Sequence, residues 1–215
     1  MQKPPVPTKP PAPENRGRDR AATEAALVAA ARAVLAEEGF VGLGINAVAR
    51  RAGCDKQLIY RYFGGLDGLV DAIGNEIGDD LRRSLQPLAA LGQAGSYREL
   101  VERMMLGFLQ ALRDDALMRR IMAWEIASPS ELVQRLTRAR SKSMMAWVAE
   151  SRGTLVPPAG VDVAATNAVL LAAIQHLVLS SAAAGQFAGL TLTSEADWER
   201  VRAVVKAIVA GAYAG

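Results

Sequence analysis

Apolar side chains recur at helical spacing along nearly the whole chain, and no other feature limits its possible folds as strongly. From Arg20 onward these residues fall three and four positions apart, which places them on one face of a helix. No stretch sustains the alternation of a half-buried strand, and no repeat of solenoid or propeller length is visible. Glycine and proline residues divide the pattern into segments. The sequence therefore predicts an all-α fold of about nine helices.

The composition agrees with helix packing and with a reducing compartment. Of the 215 residues, 51% are hydrophobic but only 5% are aromatic, so Ala, Leu and Val supply most of the core. The longest apolar stretch, 164–184, is interrupted by polar residues, and the Pro- and Lys-rich N-terminus lacks the apolar segment of a signal peptide. The single cysteine, Cys54, allows no internal disulfide. We therefore expect a cytoplasmic protein with no membrane partner.

Positive charge is concentrated in the first third of the chain. Residues 1–63 carry ten basic and six acidic side chains, a net charge of +4, whereas residues 64–215 carry fifteen and sixteen, a net charge of −1. This asymmetry is typical of a polyanion-binding part joined to a part with another task, although a solvated charged surface gives the same count. Six of the ten prolines lie in residues 1–18, so we expect a disordered Pro/Lys-rich tail there.

The stretch from Ile45 to Phe63 reads as a helix, a tight glycine turn and a second helix. Ala49 is small enough to let the two helices approach closely, and Gly53 permits the sharp turn. Asp55 is placed to cap the second helix, whose first residues would then enter a DNA major groove. This spacing predicts a helix-turn-helix motif.

Residues 24–75 resemble the N-terminal domain of the TetR family of bacterial transcriptional repressors. The resemblance rests on four correctly spaced pieces: Glu37-Glu38-Gly39-Phe40, Val48-Ala49-Arg50-Arg51-Ala52-Gly53-Cys54-Asp55, Ile59-Tyr60-Arg61-Tyr62-Phe63 and Leu66-Asp67-Gly68-Leu69-Val70. Two positions depart from the family pattern. Gly65-Leu66 replaces the usual Ser/Asn-Lys, which removes a lysine–phosphate contact, and Cys54 replaces a common valine. We interpret Cys54 as a small packing residue, with a redox role as the less favoured alternative.

The resemblance implies a homodimeric repressor that binds a palindromic double-stranded DNA operator and is released by a small-molecule effector. Gln and Arg side chains can read base edges, whereas Lys and Tyr hold phosphates. Tyr60 matches the family's usual contact to the DNA backbone. The predicted DNA-binding residues are Asn46, Arg50 (with Arg51 as an alternative), Asp55, Lys56, Gln57, Tyr60, Arg61 and Tyr62.

The remaining residues supply the predicted effector pocket and dimer interface. Methionine and aromatic side chains form an adaptable lining for a mainly apolar ligand, although simple core packing explains any one of them. The predicted pocket residues are Met104, Phe108, Met122, Trp124, Met144, Trp147 and His176. The apolar stripes of the last two long helices predict a four-helix dimer interface formed by Leu170, Ile174, Leu177, Val178, Trp198, Val201, Val205 and Ile208.

Two other function classes fit the sequence less well. An enzyme is disfavoured because His176 is the only histidine, the Gly64–Gly68 segment follows a helix and lacks a Gly-Lys-Ser/Thr ending, and no other catalytic constellation or metal cluster is present. We therefore expect no enzymatic activity, no cofactor and no metal. An architectural DNA-binding protein is disfavoured by the large neutral remainder. The predicted organisation is a tail over 1–18, a helix-turn-helix domain of three helices over 19–65, and a larger helical sensing and dimerisation domain over 66–215.

Overall fold

The computed structural model describes residues 13–89, 93–127 and 130–214, which form two compact units. The first unit ends at Ile73 and the second begins at Gly74. The described residues form nine helices and one hairpin of two-residue strands. The predicted all-α class and helix count are therefore confirmed for this part of the chain.

The first unit is built from α1 (Pro13–Gly42), α2 (Ile45–Ala52), α3 (Gln57–Phe63) and the first turns of α4 (Leu66–Ala89). Helix α1 packs mainly against α2. Gly39 has a φ of +69° that interrupts the helical geometry of α1 before one final turn. The core of this unit contains the apolar residues that the periodicity places inward: Leu27, Ala30, Ala31, Val34, Leu35, Val48, Ile59, Leu69, Val70 and Ile73.

The second unit contains the rest of α4 and five further helices. They are α5 (Tyr97–Asp114), α6 (Ala116–Ala127), α7 (Glu131–Arg152), α8 (Val163–Ala184) and α9 (Glu195–Ala212). Helix α5 packs against α6, α7, α8 and α9, and α6 also packs against α7 and α8. Leu109, Leu112, Ile121, Leu136 and Val209 are fully buried and form the centre of this core.

Helices α4 and α7 approach each other almost backbone to backbone within the second unit. A Cβ atom added at Gly74 would lie 2.7 Å from the Cβ of Ala139 and 2.7 Å from the carbonyl oxygen of Leu136. A Cβ atom at Gly78 would lie 2.9 Å from the Cβ of Ser143. Gly74 and Gly78 are therefore required for close helix packing.

Two features differ from the sequence expectations. Helix α1 begins at Pro13, so residues 13–18 of the expected tail are helical, while residues 1–12 lie outside the described residues. Strands β1 (Gln186–Phe187) and β2 (Leu190–Thr191) form an antiparallel hairpin that was not predicted. Its turn places Ala188 and Gly189 at φ values of +48° and +80°, and strands of two residues are too short to produce an alternating pattern.

Candidate functional site

Helices α2 and α3 are joined by a tight turn centred on Gly53. Gly53 has φ and ψ of 64° and 32°, a left-handed conformation that glycine adopts without steric cost. The N–H of Cys54 donates to the carbonyl of Ala49 at 3.1 Å, which closes the end of α2. The carboxylate of Asp55 accepts the N–H of Gln57 at 2.8 Å, so Asp55 caps α3 as predicted. Buried Val48, Ala49 and Ile59 anchor both helices to the core of the first unit.

The polar residues of the motif face solvent. Seven of the eight predicted DNA-binding residues are exposed, and Tyr62 is half-buried; the exposed ones are Asn46, Arg50, Asp55, Lys56, Gln57, Tyr60 and Arg61. Tyr60 is 56% exposed, a large fraction for an aromatic side chain on a packed helix. The motif thus presents hydrogen-bond donors, acceptors and positive charge on the surface of the first unit.

Arg50 and Arg51 have different surroundings, although the sequence left them as alternatives. The guanidinium of Arg51 forms a two-pronged ion pair with Glu37 of α1, with Nη2 and Oε1 at 2.6 Å. This hydrogen bond and the charge of Arg51 lower the pKa of Glu37 below its ordinary value. Arg50 is exposed and makes no ion pair within the described residues. Arg50 is therefore the better candidate for a DNA contact, and Arg51 joins α2 to α1.

Cys54 is half-buried beside the turn. Burial, followed by the neighbouring charge of Asp55, raises the pKa of its thiol. A thiol with a raised pKa carries less thiolate at neutral pH and is less reactive. These surroundings support the interpretation of Cys54 as a packing residue.

The predicted pocket residues occupy different environments in the second unit. Met122 is buried, Met104, Phe108 and Trp124 are half-buried, and so are Met144 and Trp147. His176 is exposed, and its ring meets the edge of Phe187 with the centroids 4.5 Å apart. None of the seven lines the cleft of about 970 Å³ whose walls are formed by parts of α4, α5, α6 and α9.

A partly buried ion pair joins α6 to α7 in the same unit. Nη2 of Arg140 lies 2.8 and 2.9 Å from the two carboxylate oxygens of Glu125, whose Oε1 also accepts from the Thr137 hydroxyl at 2.9 Å. The side chains of Arg140 and Glu125 are only 11% and 14% exposed. The pair was not predicted, because the two residues lie 15 positions apart on different helices. Glu125 is the one acidic residue of α6, and this was the only local signal for the pair.

Most of the residues predicted for the dimer interface are buried within the chain itself. Six of the eight are core residues of the second unit: Leu170, Ile174, Val178, Trp198, Val201 and Val205. They face inward because α8 and α9 use these positions to pack within their own unit. Leu177 is half-buried, and Ile208 remains 50% exposed.

Other apolar side chains of α8 and α9 face solvent. Val169 is 69% exposed, Leu171 37% and Val204 56%. Only 17% of the most apolar window of α8 is buried, and this helix alone among the described residues is long and apolar enough by composition to span a membrane. A groove of about 180 Å³ between α8 and α9 includes Ala173, Val204 and Ile208. We call the exposed residues that line this groove, Ala173, Val204 and Ile208, the α8–α9 face.

Comparison with known proteins gives one family match. Residues 27–73 match the family model described as bacterial regulatory proteins of the tetR family. These residues contain the helix-turn-helix and the first turns of α4. No curated protein sequence matches the chain.

Solved structures resemble the chain over most of its length. A transcriptional regulator from Pseudomonas aeruginosa PAO1 is 22% identical, with a TM-score of 0.62 over 95% of this chain and 93% of that one. A TetR-family regulator from a Rhodococcus species is 20% identical, with a TM-score of 0.57 over 89% and 99%. The regulator FadR from Bacillus subtilis, solved in complex with stearoyl-CoA, is 17% identical, with a TM-score of 0.59 over 86% and 96%. The chain therefore carries the N-terminal domain of the tetR family of bacterial regulatory proteins within the all-α fold of TetR-family transcriptional regulators.

Proposed function

We propose that the protein is a cytoplasmic transcriptional repressor that binds a palindromic operator as a homodimer and leaves it when a small, mainly apolar effector binds. The observation that carries this proposal is the exposed polar surface of α2 and α3. Lys56, directly before α3, and Gln57, Tyr60 and Arg61 on α3 are exposed to solvent. Asp55 accepts a hydrogen bond at the start of this helix, and buried Ile59 anchors it. A helix held in this way presents its N-terminal residues to base edges in a major groove.

The α8–α9 face supports the proposed dimer. Exposed aliphatic side chains on two adjacent helices lose contact with water when a second copy covers them. Each Å² of apolar surface buried in this way contributes about 25 cal/mol to the free energy of association. Exposed Ala172, Ala173 and Ala203 would allow the backbones of two copies to approach closely. A dimer with twofold symmetry presents two recognition helices to half-sites related by the same symmetry, which is why the operator should be palindromic.

The effector is proposed from the second unit. Half-buried Met104, Phe108, Trp124, Met144 and Trp147 can repack around an apolar ligand, because methionine is flexible and aromatic rings offer large surfaces. The FadR structure contains an acyl-CoA within a similar fold, which supports an apolar effector here. If such an effector weakens DNA binding by a given factor, operator DNA must weaken effector binding by the same factor. This proposal assigns the chain no enzymatic activity.

A selection experiment tests the DNA-binding part of the proposal. The purified protein is mixed with duplexes that contain a random central segment, and the bound fraction is amplified and sequenced over several rounds. We expect an inverted repeat with half-sites about one helical turn apart to be enriched. Enrichment of a single unpaired motif would contradict the dimer, and the absence of any enrichment would contradict sequence-specific binding.

A further inference from the structure

The ring of Tyr62 on α3 attracts two guanidinium groups. The Cζ of Arg61 lies 5.8 Å from the ring centroid, and the Cζ of Arg20, from α1, lies 5.5 Å from it. Both distances fall within the range of a cation–π interaction. Arg61 precedes Tyr62 directly, whereas Arg20 is 42 positions away in the sequence. Helix α1 therefore places beside α3 a positive charge that does not belong to the helix-turn-helix motif.

Arg20 is held in place but remains accessible. Its Nε donates to Glu24 at 2.7 Å, one turn later on α1, and its side chain is still 62% exposed. This hydrogen bond and the charge of Glu24 raise the pKa of Arg20, so the guanidinium is charged at any physiological pH. A planar guanidinium that stacks on a ring and pairs through one edge keeps other N–H groups free to donate.

The local balance of charge favours an anionic partner. Arg61 is exposed and forms no ion pair among the residues that the structure describes. Arg20 and Arg61 thus place two positive charges beside one ring, and Glu24 is paired with Arg20 alone. Two like charges beside one ring repel each other, and a phosphate beside them would offset this repulsion. A guanidinium also binds phosphate well through paired N–H donors.

We propose that Arg20 of α1 is a further DNA contact. Tyr62 positions the guanidinium of Arg20 beside α3, and this guanidinium binds a phosphate of duplex DNA at the edge of the half-site. The proposal rests on the proposed function, because it assumes that α3 enters the major groove. It adds α1 to the DNA-binding surface. Phosphate contacts fix the register of a protein on DNA and carry no sequence information.

In the competing interpretation, Arg20 only stabilises the packing of α1 against α3 and does not contact DNA. Three variants separate the two roles. Arg20→Lys keeps the charge, Arg20→Gln keeps a planar, stackable group without the charge, and Arg83→Ala is a matched control. Arg83 is also an exposed arginine paired with an acid on its own helix, since it contacts Asp80 three residues before it and is 55% exposed.

The test measures the affinity of each variant for a selected duplex and for a random-sequence duplex by fluorescence anisotropy at several salt concentrations. We expect Arg20→Gln to weaken binding to both duplexes by roughly tenfold and to reduce the slope of log K against log salt by about 0.9 per bound protomer. Arg20→Lys should keep the wild-type slope, and Arg83→Ala should behave as wild type. Thermal melting of the free protein should change little in all three variants.

A second measurement tests the role of Tyr62. If the ring positions Arg20, the losses from Arg20→Gln and Tyr62→Leu overlap, and the double variant binds less weakly than the product of the two single effects predicts. An unchanged salt slope in Arg20→Gln, while the wild-type protein binds the selected duplex, would overturn the assignment of Arg20. Failure of the wild-type protein to bind any duplex would overturn the proposed function as well.

Discussion

Gln57 and Tyr60 lie three residues apart on α3 and are both exposed, yet we expect them to contribute to DNA binding in different ways. A glutamine amide can form two hydrogen bonds to one adenine edge, so Gln57→Ala should cost about 1–3 kcal/mol at one base pair and relax specificity there. Tyr60→Phe removes a phosphate donor and should weaken binding equally on all sequences. Affinities for the selected duplex and its single-base variants measure both effects.

Gln134→Ala is the control for these substitutions, because Gln134 is exposed on α7, outside the motif. Its DNA affinity should equal that of the wild type. If Gln57→Ala and Tyr60→Phe both lose affinity uniformly across all sequences, the division between base reading and phosphate binding is wrong.

For single residues, the sequence predicts well which side chains are exposed to solvent. It predicts poorly which residues those side chains contact. The positions of Gln57, Tyr60 and Ile59 follow from helical periodicity within seven residues, and the structure agrees. The partners of Arg51 and Tyr62 lie on α1, 14 and 42 positions earlier. Such pairs depend on how helices pack, which local spacing does not determine.

Among the elements, the close contact of α4 with α7 gives the clearest prediction. Gly74→Ala would force a methyl group to within 2.7 Å of the carbonyl oxygen of Leu136, so the helices must separate. Overpacking of this kind costs about 1–3 kcal/mol, which outweighs the gain of roughly 1 kcal/mol in helix propensity. We expect a lower free energy of unfolding by chemical denaturation.

Gly211→Ala is the matched control for Gly74→Ala. Gly211 also lies within a helix, but a Cβ atom added there meets nothing within 4 Å. This variant should be stabilised by up to about 1 kcal/mol, because only the propensity gain remains. If both variants are stabilised, α4 and α7 do not pack as closely as the structure indicates.

The start of α9 should make stability depend on pH. Asp197 accepts hydrogen bonds from the backbone and hydroxyl of Ser194, from Thr191 and from Thr193, and these lower its pKa to about 2. A carboxyl with a lower pKa in the folded than in the unfolded state stabilises the fold above pH 4 and loses this effect as pH falls towards 2. Denaturation curves across this range should show the loss.

Asp197→Asn is the variant that isolates this carboxyl. It keeps a hydrogen-bond acceptor but does not titrate, so part of the pH dependence should disappear. The rest should remain, because Arg113 and Arg202 lower the pKa of Glu195 to about 2 as well. A variant with the full wild-type pH dependence would show that Asp197 does not contribute.

For whole helices and strands too, the sequence predicts features that depend on local spacing but not those that depend on how elements pack. Helices as long as α5 and α9 repeat the apolar spacing over several turns, and the side chain of Asp55 accepts a hydrogen bond at the start of α3, as its position in the motif predicts. The β1–β2 hairpin escaped prediction because Gln186–Thr191 offers only two residues on each side of the turn. The inward faces of α8 and α9 were identified correctly as apolar, but the sequence does not reveal whether their own unit or a second copy covers them.

For the molecule as a whole, the proposed role of the α8–α9 face is to form the interface between two copies. Val204→Asp and Ile208→Asp would each bury a charge when two copies associate, and both side chains are at least half exposed in the single chain. We expect either variant to sediment as a folded monomer at micromolar concentration. The same change at Ile174 or Val205 would instead disrupt the fold, since those side chains are buried within the unit.

Val156→Asp is the control, because Val156 is 79% exposed outside the long helices. It should sediment like the wild type, which we expect to be a dimer. A wild-type protein that sediments as a monomer at the same concentration would contradict the proposed interface.

Symmetric reading of DNA by two copies of α3 is the central claim, and one binding measurement tests it directly. Two duplexes carry the same two selected half-sites at the same spacing, one as an inverted repeat and the other as a direct repeat. We predict that two protomers bind the inverted repeat and that its affinity exceeds that of the direct repeat by roughly tenfold or more. Equal affinity for the two duplexes would contradict the claim.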